Sequence, residues 1–88
     1  MMANVRQRLR LFPDYGAETP VWSKHGMVPF DQLGISESLR AALVDWQNEG
    51  LDPGGLRAGR SEDDWEADGR VLAERLSEET GAPVDLDV

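Results

Sequence analysis

Residues Gly54 to Ser61, GGLRAGRS, come within one residue of a phosphate-binding loop. The pattern G-x-x-x-x-G-K-[ST] is met except that Arg60 replaces the lysine. A working loop of this kind follows a buried strand and leads into a helix whose free amides bind the anion. Here a helix end and a turn, EGLDP, precede the loop, and the next helix starts SEDD, whose carboxylates repel a nucleotide. We therefore predict a simple connection between two helices, which leaves Arg57 and Arg60 only the weaker role of binding an acidic group on a partner.

A second stretch, DWEADG starting at Asp64, imitates the first half of a calcium-binding EF-hand loop. The twelfth position of such a loop supplies two carboxylate oxygens, but Arg75 stands there in this chain. The apolar residues Trp65, Leu72 and Leu76 recur at helical spacing through the same stretch, and a helix would spread the acidic side chains around its circumference. We therefore predict a helix here and no metal site.

Few side chains of this chain are suited to catalysis. His25 is the only histidine and precedes Gly26 in a predicted turn, where an imidazole is usually solvated. The chain has no cysteine, and no serine lies in the G-x-S-x-G context of an activated nucleophile. We predict a non-enzymatic protein with no catalytic, metal-binding or cofactor-binding residues. A pocket that gathered His25 with two buried carboxylates would reverse this prediction.

Both ends of the chain have the alternating pattern of half-buried strands. In VRQRLRLF the apolar side chains alternate with Arg6, Arg8 and Arg10, and in VDLDV they alternate with Asp85 and Asp87. We expect these strands to be neighbours, with arginines opposite aspartates on one face and aliphatic side chains on the other. Because two antiparallel helices connect them, we expect the strands to pair antiparallel.

Two amphipathic helices are predicted between these strands. Ser36 is suited to cap the first, which should end just before Gly50, itself in the left-handed conformation. Ser61 is suited to cap the second, with Asp64 three residues later as an imperfect capping box. Gly81 should end this second helix.

The segment 17–34 has two interpretations. It forms either a short hairpin, Val21–Ser23 with Met27–Val28, or an irregular loop pinned by Trp22 and Phe30, and the pattern favours the hairpin. The predicted fold is α+β: a small sheet of the paired terminal strands, extended by the hairpin where it forms, with one face covered by two antiparallel helices. The 88 residues are expected to form one domain.

The chain is strongly acidic. Its net charge is −8, and residues 13–88 carry six cations against 17 acids. Such a surface repels a phosphate backbone, so we predict no binding to nucleic acid. No apolar run is long enough to cross a membrane, and the first residues lack the apolar segment of a signal peptide. We therefore predict a cytoplasmic protein that does not bind membranes.

The segments LFPDYG, PVW and LGISESLRAALVDWQNEG resemble a group of small acidic proteins of high-GC, actinobacterial-type bacteria for which no activity is known. The likeness includes an L-G-x-S-x-x-L-x-x-x-L-x-x-W pattern from Leu33 to Trp46, made of capping and core residues. It implies no catalytic or binding residue. In size and charge the chain is also similar to immunity proteins and antitoxins.

These observations predict an interaction protein, in its sharpest form an immunity- or antitoxin-like inhibitor of a basic partner. The acidic stretch at the start of the second long helix would anchor that partner, through Glu62, Asp63, Asp64, Glu66 and Asp68. The alternative is a structural or accessory subunit that binds through an apolar surface in the region 22–30, or that forms a homodimer through the exposed edges of its narrow sheet.

Overall fold

A four-stranded mixed sheet and two long helices make up the structure, a computed structural model that describes residues 8–88. The sheet has the order β3-β2-β1-β4, and the predicted α+β fold class is confirmed. The elements in chain order are β1 Leu9–Leu11, β2 Val21–Ser23, β3 Gly26–Met27, α1 Phe30–Leu33, α2 Glu37–Leu51, α3 Glu62–Thr80 and β4 Val84–Leu86.

The hairpin predicted within residues 17–34 is present. Strands β2 and β3 pair antiparallel, with Trp22 opposite Met27 and Ser23 opposite Gly26. In the turn, the amide of His25 donates to Ser23 Oγ. Gly26 has a φ of 114°, a backbone conformation that residues other than glycine rarely adopt. Strand β3 begins one residue earlier than predicted because Gly26 already pairs with β2.

The terminal strands are neighbours, as predicted, but they run parallel. In this register Leu9 lies opposite Val84, Arg10 opposite Asp85 and Leu11 opposite Leu86. The antiparallel prediction was wrong because it counted only the two long helices as changes of chain direction. The hairpin and the short helix α1 also redirect the chain, and such a long connection is what parallel neighbours require. The predicted strand residues Val5 and Arg6 lie outside the described residues.

Helices α2 and α3 begin where their capping residues predict. Ser36 Oγ accepts the amide of Leu39 at 3.3 Å. Ser61 Oγ accepts the amide of Asp64 at 3.2 Å, and the Asp64 carboxylate accepts the amide of Ser61 at 2.9 Å, which completes the capping box. Helix α3 ends at Gly81, whose φ of 76° is the left-handed conformation predicted for it.

The end of α2 differs from the prediction. The helix continues through Gly50 to Leu51, and Asp52 is its C-cap. A Cβ atom at Gly50 would lie 2.3 Å from Cζ2 of Trp65, far inside van der Waals contact. This glycine therefore permits the close approach of an indole from α3 and does not form a left-handed turn.

The core lies between one face of the sheet and the two long helices. It contains the buried residues Leu9, Leu11, Val21, Phe30, Leu39, Leu43, Trp46, Leu72, Ala73, Leu76 and Ala82. Helices α2 and α3 are antiparallel, and Glu79 near the end of α3 accepts both the amide and the hydroxyl of Ser36 at the start of α2, at 2.6 and 2.9 Å. Within residues 8–88, no helix is long and apolar enough to cross a membrane.

Candidate functional site

The acidic residues predicted to anchor a partner lie on the first two turns of α3 and have different surroundings. They are Glu62, Asp63, Asp64, Glu66 and Asp68. The Asp64 carboxylate belongs to the capping box, and the hydrogen bond from the Ser61 amide lowers the pKa of Asp64 below its ordinary value. Asp68 forms an ion pair with Arg60. Both carboxylates therefore already have partners within the chain.

We call the first two turns of α3, with their five carboxylates, the acidic face; the other three carboxylates are less engaged within the chain. Glu66 is partly exposed, with its nearest cation, Arg70, 3.9 Å away. Glu62 and Asp63 are exposed, and neither has an ion pair with any residue of the described range 8–88. Their position at the N-terminus of α3 is favourable, because the helix dipole stabilises negative charge there.

The glycine-rich stretch that resembled a phosphate loop connects α2 to α3. Its two arginines turn back onto α2: Arg60 forms two hydrogen bonds with Glu49, at 3.0 and 3.2 Å, and Arg57 forms an ion pair with Asp45. A cavity of about 320 Å³ lies beside these residues, between α2 and α3. Both guanidinium groups thus have internal carboxylate partners, and an acidic group on a partner protein would have to displace them.

Glu49 is the buried member of this network, with a side chain only 4% exposed. The hydrogen bonds from Arg60 lower the pKa of Glu49, and this effect outweighs the burial that would raise it. The hydrogen bonds to Glu49 also raise the pKa of Arg60, and the hydrogen bond to Asp68 adds to this effect. The ion pair therefore stays charged at neutral pH and holds the loop against the end of α2.

Two tryptophans join α2 and α3 next to the Arg60–Glu49 ion pair. The rings of Trp46 on α2 and Trp65 on α3 stack with centroids 4.4 Å apart and planes 2° from parallel. Each indole Nε1 donates to the other residue's carbonyl, at 2.9 and 3.0 Å. Each ring also lies against a glycine of the opposite helix, Trp65 against Gly50 and Trp46 against Gly69. The repeated W-x-x-x-G spacing is the sequence signal for this crossing, and our sequence analysis missed it.

The outer face of the sheet binds its arginines internally, as predicted. Arg8 donates to both carboxylate oxygens of Asp85 at 2.9 Å, and Arg10 forms an ion pair with Asp87. These two members of the predicted arginine row are consequently engaged within the molecule. Beside them, the rings of Phe12 and Trp22 stack with centroids 4.7 Å apart.

The region 22–30, the alternative contact surface, offers little continuous apolar area. Phe30 is 5% exposed and belongs to the core, with the guanidinium of Arg40 over its ring at 5.0 Å. Trp22 is half-buried against Phe12. The two aromatic residues thus have partners within the fold.

The structure brings no acids to the histidine. His25 is exposed on the hairpin turn, and the cavity beside it, of about 340 Å³, has no carboxylate among the described residues that line it. The EF-hand lookalike is helical, as predicted, and residues 8–88 contain no group of three or more acids and histidines placed to hold a metal ion.

Comparison with known protein families identifies the chain. A family model described as "Serratia CdiI immunity protein-like" matches residues 7–87, almost the whole sequence. The chain belongs to this family. A search of curated proteins found no match to this immunity protein, and a search of solved structures found none either.

Family membership confirms the prediction of an immunity-type interaction protein, and the basic character of its partner stays a prediction. The immunity protein is a non-enzymatic inhibitor that binds a partner toxin. The family gives no support to the alternative of an accessory subunit. The origin in high-GC bacteria stays a prediction.

Proposed function

We propose that this immunity protein neutralises a basic toxin domain by binding it through the acidic face of α3. The anchoring carboxylates are Glu62, Asp63, Asp64, Glu66 and Asp68. The observation that supports the proposal is that these acids are concentrated in the first two turns of α3, while Arg8 and Arg10 are engaged by aspartates on the outer face of the sheet.

The five acids would contribute in two ways. Glu62, Asp63 and Glu66 are exposed or partly exposed and would make direct ion pairs with the toxin. Asp64 and Asp68 would act mainly by shaping the surface, the first by capping α3 and the second by holding Arg60. Removal of either would disturb the contact face as well as its charge.

An acidic face of this kind has a kinetic role besides its contribution to affinity. Residues 13–88 carry 17 acids against six cations, and such a field accelerates encounter with a basic partner. Rapid capture suits an inhibitor that must bind a toxin before the toxin acts. Because salt screens these charges over about 10 Å at 0.1 M, the association rate should fall steeply as salt is added.

The direct test is a charge reversal with a matched control. The triple variant Glu62→Lys, Asp63→Lys, Glu66→Lys is compared with Glu37→Lys, Glu74→Lys, Glu78→Lys, which changes the net charge equally outside the acidic face. Binding to the cognate toxin is measured by calorimetry, and protection is measured as growth of cells that express the toxin. We expect the first variant to lose about 100-fold or more in affinity, and the control to lose far less.

Equal losses from the two triple variants would show that only net charge matters and would reject the acidic face as the contact. Lysines at the start of α3 also oppose the helix dipole. A neutral variant, Glu62→Gln, Asp63→Asn, Glu66→Gln, avoids this problem, and thermal melting of each variant checks the fold. The neutral variant should show a smaller loss in the same direction.

Several finer features belong to the same proposal. The inhibitor would act in the cytoplasm of a high-GC bacterium, without binding nucleic acid or membranes. The free edges at β3 and β4 would permit a homodimer, which analytical ultracentrifugation of the protein alone would detect.

A further inference from the structure

A cleft of about 450 Å³ opens beside the acidic face, where the end of α2, the glycine loop and the start of α3 meet. Its apolar part is formed by Trp65, Leu56 and Val88. One face of the Trp65 ring is covered by Trp46, and its Nε1 donates to a backbone carbonyl of α2, so the indole is held in place at the cleft. Val88 is 53% exposed although it is aliphatic.

The rest of the cleft is lined by carboxylates. Glu49, Asp52, Glu62 and Glu66 contribute to it, and none of its described lining residues is a lysine, arginine or histidine. Glu49 is bound by Arg60, and Glu66 has Arg70 at 3.9 Å. Within residues 8–88, Asp52 and Glu62 form no ion pair, and the carboxylate of Asp52 accepts only the amide of Gly54, at 2.8 Å.

We propose that this cleft receives one arginine side chain of the toxin, which makes it the anchoring pocket of the interface. The inference rests on the proposed function and specifies the chemistry of its partner. The methylene stem of the arginine would pack on Leu56 and Val88, as long cationic side chains do on apolar surface. The guanidinium would reach the Trp65 ring and the carboxylates of Asp52 and Glu62.

Charge complementarity selects this occupant. Asp52 and Glu62 are exposed, and a neutral or acidic side chain in the cleft would displace water from their carboxylates without supplying a counter-charge, which costs free energy. A lysine would satisfy the charge, but a planar guanidinium can both stack on an indole and donate several hydrogen bonds to carboxylates. An arginine in a preformed aromatic pocket is also typical of the few residues that dominate the energy of an interface.

The first test uses a small probe on the full chain. Capped Gly-Arg-Gly is titrated into ¹⁵N-labelled protein, with capped Gly-citrulline-Gly as the neutral isostere. The Trp65 indole resonance should shift with the arginine peptide, with an affinity in the roughly millimolar range expected for so small a ligand, while the Trp22 indole stays fixed. Equal shifts with citrulline, or equal shifts at Trp22, would overturn the inference.

The second test fills the cleft without changing the charge. Val88→Phe should weaken binding of the cognate toxin about tenfold or more, since a buried anchor typically contributes at least this much. Val71→Phe is the matched control, because Val71 is 56% exposed on α3 but does not line this cleft.

The outcomes separate this inference from the proposed function. If charge reversal on the acidic face abolishes binding but Val88→Phe binds like Val71→Phe, the arginine pocket is rejected and the acidic face stands. If neither the charge reversal nor Val88→Phe affects binding, both are rejected. Selective loss with Val88→Phe supports the pocket.

Discussion

Two sets of arginine–carboxylate pairs lie in different regions of this molecule and differ in their surroundings. On the outer face of the sheet, Arg8–Asp85 and Arg10–Asp87 join strands from the two ends of the chain, and each side chain is about half or more exposed. In the loop between the helices, Arg60 is 27% exposed and its partner Glu49 is 4% exposed. The same chemistry is therefore solvated in one region and buried in the other.

This difference in exposure indicates which ion pairs stabilise the fold and which only favour the register of the strands. Exposed ion pairs contribute little because water and salt screen them. A buried carboxylate depends on its counter-ion, since an unpaired charge cannot be left away from water without a large penalty. We infer that the strand pairs mainly engage the basic start of the chain, whereas the Arg60–Glu49 pair holds the loop that borders the acidic face.

The largest effect is expected from Arg60→Ala. This change leaves Glu49 buried without its counter-ion, and Tm should fall by roughly 10 °C or more. Replacing both partners, as in Arg60→Met with Glu49→Leu, should recover much of this loss because no buried charge remains. Thermal unfolding followed by circular dichroism measures both variants.

The matched comparison for this pair is Arg8→Ala at the sheet. Its effect on Tm should be small, because Asp85 stays solvated when the arginine is removed. If Arg8→Ala and Arg60→Ala lower Tm equally, the contrast between the two regions is wrong.

A smaller effect, of about 1–3 kcal/mol, is expected from Gly50→Ala, because the new methyl group would meet the Trp65 ring. Helix propensity alone would predict the opposite, a gain of up to about 1 kcal/mol. Urea unfolding therefore decides between the two by the sign of the change. A more stable variant would mean that the tryptophan crossing is looser than the structure has it.

The pH dependence of stability should reveal the contribution of ionised Glu49 to the free energy of folding. Arg60 lowers the pKa of Glu49 below its ordinary value of 4.5, so the charged form favours folding. This contribution is complete at neutral pH and disappears as pH falls through the lowered pKa. The stability difference between the wild type and Glu49→Gln should thus be greatest near neutral pH and shrink below about pH 4.5. A difference that is constant from pH 7 to pH 3 would contradict this role.

The smallest effect is expected at the sheet from Asp85→Asn combined with Asp87→Asn. The loss of two exposed pairs should cost less than about 1 kcal/mol, and the cost should decrease further at high salt. Urea unfolding at low and high ionic strength measures it. A larger, salt-independent loss would show that the strand pairs are more than surface contacts.

The sequence predicted those parts of the fold that depend on local patterns. Ser36, Ser61 and Gly81 mark helix ends because each acts on backbone groups within a few residues. The strand pairs of Arg8 and Arg10 followed from alternation, which assigns every second side chain to one face. The strand direction did not follow, because it depends on how the whole connection is routed.

The crossing of the two helices could not be inferred from capping and periodicity. A glycine at position 50 is compatible with either a helix end or close contact with an indole. Only the position of Trp65 on the other helix distinguishes these two roles. From the sequence, Glu49 is likewise indistinguishable from a surface acid. Its role depends on the loop that places Arg60 against it in the structure. The acidic face was predicted from charge alone, and its contact with a toxin stays a prediction.

The central claim is that the start of α3 is where the toxin binds. Cross-saturation from unlabelled toxin to ²H,¹⁵N-labelled immunity protein detects contacting residues directly in the complex. We expect the amides of residues 62–68 to lose intensity, together with the Trp65 indole, while Arg10 and Trp22 on the outer face of the sheet do not. Intensity loss at the sheet face, with residues 62–68 unaffected, would contradict it.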